Sequence, residues 1–258
     1  MSIKTATIDG VATIEIARPE KKNALTVAMY QAMAEALNAA REDAAVRAVL
    51  ITGQPGIFTS GNDVEDFLTR PPGQGSDSME SPVFRFMRAL LDCDKPVVAA
   101  VTGAAIGIGT TMLLHCDFVY VSDEARLAMP FVALGLVPEF GSSLVVPRLT
   151  GHVKAAEKLL LGDPMTGAEA VEFGIANAVL PSGEVVNHAR RMAERFNTLA
   201  PSAVRASKKL MRGPGLAELQ RVIQEEAEIF AARLRSPEAM EAFQAFFQKR
   251  APDFTKFE

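Results

Sequence analysis

Apolar and polar positions alternate over residues 5–9 and 11–16, on either side of Asp9-Gly10. Period-two alternation around an Asp-Gly pair predicts a β-hairpin closed by a type I′ turn. Arg18-Pro19 ends that pattern and a helical one follows. Ala28, Met29, Met33, Ala36, Leu37 and Ala40 fall on one face, with Thr26 placed as the N-cap. Residues 46–52 are apolar without alternation, which predicts a strand covered on both faces. A helix over 83–91, a strand over 97–101, a helix over 109–116, a strand over 118–122 and a short strand over 126–129 continue the exchange of β and α. Beyond Pro147 the pattern is mostly helical, over 153–161, 167–173, 183–199, 201–211, 216–234 and 237–249. No repeat of fixed period interrupts it. The fold class is therefore α/β, repeated ββα units followed by a helical C-terminal region.

Composition narrows the function classes. The 258 residues are 48% hydrophobic and 22% charged, which suits one large domain or one domain with a helical appendage. No apolar run approaches the roughly 18 residues of a membrane span, and no basic segment leads into an apolar stretch at the start, so neither membrane insertion nor secretion is expected. A net charge of −4 argues against a nucleic-acid partner. The two cysteines, Cys93 and Cys116, have neither CxxC spacing nor histidines at ligand spacing, so a metal site is not expected and reduced thiols in a cytoplasm are.

Three familiar motifs fail in the glycine-dense stretch from Lys95 to Gly141. Gly107-Ile108-Gly109 follows a strand and opens a helix, but Met112 stands where a dinucleotide fingerprint needs its third glycine. Gly141-Ser142-Ser143 is not a nucleophile elbow, and His115, His152 and His188 lie in no triad motif. Two turns of small residues remain, Phe58 to Asp63 (FTSGND) and the one around Gly107. Each alone reads as ordinary strand-to-helix punctuation. Together they are able to aim backbone N–H groups at one oxygen, which is the physical content of an oxyanion hole.

The segments ARPEKKNALT, GIFTSGNDVEDF, KPVVAAVTGAAIGIG, LLHCDFVYVSDEARLAMPF and LGLVPEFGSSLVVPRLTG, in this order and with an APDF near the end, resemble the crotonase (enoyl-CoA hydratase/isomerase) superfamily along essentially the whole chain. The resemblance implies a crotonase core over residues 1–200 and a helical, trimerising region over 201–258. It also implies an acyl-CoA thioester substrate whose carbonyl is held by the amides of Asn62 and Ile108, flanked by Ser60, Gly61, Asp63 and Gly107. Coenzyme A is expected against Asn23, Ala24 and Leu25. Lys21 and Lys22 either neutralise its phosphates or are solvated surface charges. Lys249 is placed to reach a neighbour's coenzyme in a homotrimer or hexamer, and the phenylalanines before it, Phe243, Phe246 and Phe247, also suit a core. Coenzyme A enters with the substrate, and no other cofactor is implied.

Hydratases of the superfamily resemble one another in two glutamates, and here the corresponding positions are Thr111 and Phe131. Neither is a general acid or base, and both are expected to line the acyl pocket. Glu139 in LVPEFGSS is instead similar to the single base of the Δ3,Δ2-enoyl-CoA isomerase branch, peroxisomal in eukaryotes. Its neighbours Phe131, Leu136, Val137 and Phe140 should raise its pKa by desolvation. The expected activity is a shift of the double bond from 3-enoyl-CoA to 2-enoyl-CoA in fatty acid breakdown. A 2-enoyl-CoA hydratase and a non-catalytic acyl-CoA-binding protein are the alternatives. Residues 67–82, broken by Pro71-Pro72-Gly73, are either an insertion or a flap over the acyl chain.

Overall fold

Burial divides the central strands by parity. Ala48 and Leu50 face one hydrophobic cluster while Val49 and Ile51 face another, and Val98 and Ala100 alternate in the same way with Val97, Ala99 and Val101. The expected cover on both faces follows directly, since every residue of these strands is withdrawn from water. The computed structural model describes residues 2–69 and 81–257. The part of the expected flap from 70 to 80 lies outside the described residues.

In chain order the elements are β1 (Ile3–Ile8), β2 (Val11–Ile16), α1 (Val27–Glu42), β3 (Ala48–Thr52), β4 (Ile57–Thr59), α2 (Val64–Thr69), α3 (Pro82–Asp92), β5 (Val97–Val101), β6 (Ala104–Ile106), α4 (Ile108–Thr111), β7 (Phe118–Ser122) and β8 (Arg126–Ala128). There follow α5 (Ser142–Thr150), α6 (His152–Ala156), β9 (Met165–Thr166), α7 (Gly167–Glu172), β10 (Ala178–Leu180), α8 (Val185–Glu194), α9 (Pro201–Arg233) and α10 (Pro237–Phe247). One sheet runs β1-β2-β3-β5-β7-β10, parallel except for the first hairpin. A smaller one runs β4-β6-β8-β9, with its last pair antiparallel. Helices α1 and α3 pack on one face of the large sheet and α8 on the other. Each βαβ crossover therefore covers a face that would otherwise be wet.

Local chemistry accounts for several boundaries. Asp9 and Gly10 have φ of 49° and 73°, the pair of positive angles that a type I′ hairpin turn requires. Thr26 caps α1 by accepting a hydrogen bond from the Met29 amide, and Met29, Met33, Leu37 and Ala40 are buried. Ala28, expected on the same face, is exposed, because the buried stripe turns through Tyr30 and Ala34 instead.

Elsewhere the expected helices differ. The 109–116 helix is α4 followed by a 3₁₀ turn over Met112–His115. The 153–161 helix is α6 continued by a π turn over Glu157–Leu161, and the 183–199 helix is α8 with a 3₁₀ turn over Arg195–Thr198. The 201–211 and 216–234 helices are one, since α9 runs through Gly213-Pro214-Gly215 without a break. A proline inside a helix removes a hydrogen bond and crowds the preceding turn. Anchors on both sides offset that cost in α9. Before Pro214, Lys208 donates to the Lys95 carbonyl and to Asp117, and Arg212 donates to Asp117 and the His115 carbonyl. After it, Glu226 accepts hydrogen bonds from Gly141 and Ser143.

Candidate active site

The two glycine turns meet. Gly61 has φ of 92°, and a Cβ there would stand 2.8 Å from the Ile106 carbonyl oxygen. Gly109, the second residue of α4, is packed as tightly, since its Cβ would come within 2.6 Å of the Thr59 side chain. Only residues without side chains let the end of β4 lie against the β6–α4 junction at this separation. Gly107, at φ of 58°, is the residue before α4 and turns the chain into it.

The segment before α1 fastens the first turn. Leu25 donates its amide to the Gly61 carbonyl, and its own carbonyl accepts from the Asp63 amide. Ser60 donates its amide to the Lys22 carbonyl. Asn23 is fully buried with φ of 56°, and its side chain bridges Arg18 to the carbonyls of Ile57 and Phe58. The flanking amides of the turn are thus consumed, whereas among the described residues neither the Asn62 nor the Ile108 amide has a partner.

These turns border a cleft of about 650 Å³, lined among others by Lys21, Lys22, Ala24, Ser60, Gly61, Asn62, Asp63, Gly107, Ile108 and Phe131. Of the site residues expected from sequence, Asn23 and Leu25 are buried and not part of this lining, and Lys249 is exposed and not part of it either. Asp63 is in the lining, but its carboxylate is engaged by Arg18 at 2.6 Å. Lys21 pairs with Glu65 at the exposed rim. Phe246 and Phe247 from α10 line the far side and are largely exposed.

Asn62 and Phe230 are shared with a smaller adjoining cavity of about 60 Å³. Its other walls come from α3 (Val83, Phe84, Met87), from α9 (Ile223, Ala227, Ala231) with Leu234 just beyond it, and from Glu139 and Phe140. Asn62 and Glu139 are the polar residues in an otherwise apolar lining. Glu139 is 8% exposed, and its Oε1 has no hydrogen-bond partner. Burial, reinforced by the charge of Glu226, pushes its pKa up to about 8. Tyr30, buried beneath the turn, donates to Asn62 Oδ1 and is itself held well above the ordinary tyrosine range by burial and by the nearby Glu139.

The segment carrying Glu139 is braced from several directions. Its carbonyl accepts from both the amide and the hydroxyl of Ser142. Burial holds His115 down at about 4, so the ring is neutral and Nε2 donates to the Phe140 carbonyl at 2.7 Å. Glu226 accepts from Gly141 and Ser143. Tyr30, His115 and Glu226 carried no signal of this in the sequence, because each acts on a segment far away along the chain. Thr111 and Phe131 are both buried, and Phe131 lines the cleft, while the Thr111 hydroxyl has no partner. Among the described residues no three His, Cys, Asp or Glu side chains are grouped to hold a metal ion, and no helix is long and apolar enough to cross a membrane.

Known proteins resemble this chain over nearly its whole length. OdaA of Pseudomonas aeruginosa is 57% identical, with a TM-score of 0.91 over 95% of this chain and 98% of that one. Human enoyl-CoA delta isomerase 2 is 34% identical over 94% of this chain, which spans only 62% of the human protein. The 2,3-dehydroadipyl-CoA hydratase of Escherichia coli (strain K12) is 28% identical over 95% of this chain and 94% of its own length. The sequence profile described as enoyl-CoA hydratase/isomerase matches residues 6–257, and with this match the chain belongs to that family, in the crotonase superfamily.

Proposed function

We propose that the chain moves the double bond of a 3-enoyl-CoA to give the 2-enoyl-CoA, with Glu139 as the single base. The observation that carries this is one buried, high-pKa carboxyl in an apolar cavity that it shares with Asn62 and that adjoins the cleft lined by Ile108, the amides of both being unpartnered among the described residues, while Thr111 and Phe131 bring no second carboxyl. The Glu139 carboxylate takes a proton from C2 of the thioester. The electrons of that C–H bond form a dienolate whose charge rests on the thioester oxygen. The amides of Asn62 and Ile108 donate to that oxygen without reorganising. Glu139 then returns the proton to C4, which leaves the double bond between C2 and C3.

A base near neutrality is better matched to this transfer than an ordinary carboxylate, since efficiency peaks when the catalytic pKa lies near the working pH. Lys22 and Ala24 border the cleft where coenzyme A enters, and Lys249 serves a neighbouring subunit of a homotrimer or hexamer. The competing hydratase reading requires a second acid or base on the water; among the described residues the buried titratable neighbours of Glu139 are Tyr30, already bonded to Asn62, and Glu226, whose two oxygens are taken up by Gly141 and Ser143. Initial rates with 3-enoyl-CoA and with 2-enoyl-CoA, for the wild type and Glu139→Gln, separate the two. Faster turnover of 3-enoyl-CoA that is lost in the variant supports isomerisation; water addition to 2-enoyl-CoA at comparable or greater rate overturns it.

A further inference from the structure

The path of the backbone at Phe140 and Gly141 is an unusual one. Both have positive φ, 58° and 74°, and a Cβ at Gly141 would stand 2.3 Å from Leu219. A left-handed phenylalanine persists only where the surroundings over-determine it. Gly141 is also the N-cap of α5, yet it has no side chain with which to cap.

Glu226 does both jobs from another helix. It is 7% exposed on α9. Its Oε2 accepts from the Gly141 amide at 2.5 Å, and its Oε1 accepts from the Ser143 amide at 2.9 Å and the Ser143 hydroxyl at 2.5 Å. Both carboxylate oxygens therefore terminate on the turn that follows Glu139. All three donors are neutral, and among the described residues Glu226 forms no ion pair with a lysine, arginine or histidine. A structural cap needs no charge here; a hydroxyl or amide would serve a helix N-terminus.

We propose that Glu226 is the positioning residue of the reaction, capping α5 from α9 so that the 139–143 segment holds Glu139 against the thioester carbons. The inference rests on the reading of Glu139 as the proton-transfer base. Burial raises the pKa of Glu226 and the hydrogen bonds from Ser143 and Gly141 oppose that rise; once ionised, its charge opposes ionisation of Glu139 and so makes that carboxylate the stronger base. Among the described residues the titratable groups facing Glu139 are Tyr30 from α1 and Glu226 from α9; His115, from the turn after α4, meets the backbone of Phe140 instead.

Two substitutions separate reach from charge. Glu226→Gln keeps the volume but turns an NH₂ group towards an amide donor and removes the charge. Glu226→Asp keeps the charge and withdraws it by one methylene. For Glu226→Gln, kcat on 3-enoyl-CoA is expected to fall roughly 10- to 100-fold, the scale of a slightly misplaced reacting group, with KM within about twofold. The acid limb of its pH profile should move to lower pH, because Glu139 ionises more readily without the neighbouring charge. Glu226→Asp should restore the limb and not kcat. A Glu226→Gln enzyme with kcat within twofold of wild type and an unmoved limb overturns the proposal. Should the wild type not isomerise 3-enoyl-CoA at all, it is the proposed function that fails. Glu226 is then judged by ¹³C-carboxyl NMR of Glu139, assigned with Glu139→Gln. A titration that moves to lower pH in Glu226→Gln upholds its action on Glu139, and an unmoved titration refutes it.

Discussion

Replacing Glu139 by glutamine should make the protein a poor enzyme and a more stable one. The two side chains have nearly the same volume, so the cavity wall is preserved and the change is essentially one of charge and proton affinity. Loss of a general base costs about 10² to 10⁴ in rate. At 1.36 kcal/mol per factor of ten this is roughly 3 to 5 kcal/mol of barrier. Stability moves the other way. The Glu139 carboxyl titrates near 8 in the folded chain against an ordinary 4.5. The folded state therefore binds this proton more tightly than the unfolded state does. Its contribution is fully present below pH 4.5 and is lost as the pH rises through 8. The interval corresponds to at most about 5 kcal/mol. A glutamine side chain does not titrate, so the variant should gain on the wild type by a few kcal/mol between about pH 5 and pH 9. Urea unfolding at those two values, paired with initial rates on 3-enoyl-CoA, measures both effects. Activity within tenfold of wild type refutes the base assignment. A stability difference that does not change between the two pH values refutes the account of Glu139 as a buried acid.

Gly61→Ala places a methyl group 2.8 Å from the Ile106 carbonyl at a φ of 92°. It should cost about 1–3 kcal/mol of stability and, by parting the two turns, roughly tenfold or more in kcat; thermal melts and rates at saturating substrate test it. Asp117→Ala leaves Lys208 and Arg212 without their shared carboxylate and should destabilise the chain by about 3 kcal/mol, read from the urea midpoint. Light scattering should report three or six subunits, and a stable monomer would refute the assembly expected from the superfamily.

What the sequence made legible followed the range of each interaction. The type I′ turn depends on two adjacent residues, Asp9 and Gly10, and the α1 cap on Thr26 and an amide three residues on, so local spacing sufficed. The cover over β3 was visible because a strand with two wet faces would not be apolar throughout. By contrast β4, β6 and β9 have two or three residues each, too few to display a period, and Ala104–Ile106 read as part of a turn. The continuity of α9 through Pro214 depends on anchors from Asp117 and Gly141, which local propensity does not register. The candidate site divides in the same way. Glu139 and the two glycine turns stand in recognisable segments, but Glu226 lies 85 residues from the Gly141 amide it holds, on a helix whose charged positions otherwise look like a solvated face.

Helix α9 joins two jobs that are usually kept apart. Its residues Ile223, Ala227, Phe230 and Ala231 wall the small cavity, and Glu226 on the same rod grips the segment of Glu139. Under the proposed function the rod would couple that cavity to the chemistry. An acyl tail reaching the cavity would bear on the same body that aims the carboxylate, and a tail too short would leave that body unloaded. Chain length should therefore be read out in turnover as well as in affinity, which makes the helix a gauge for its own substrate.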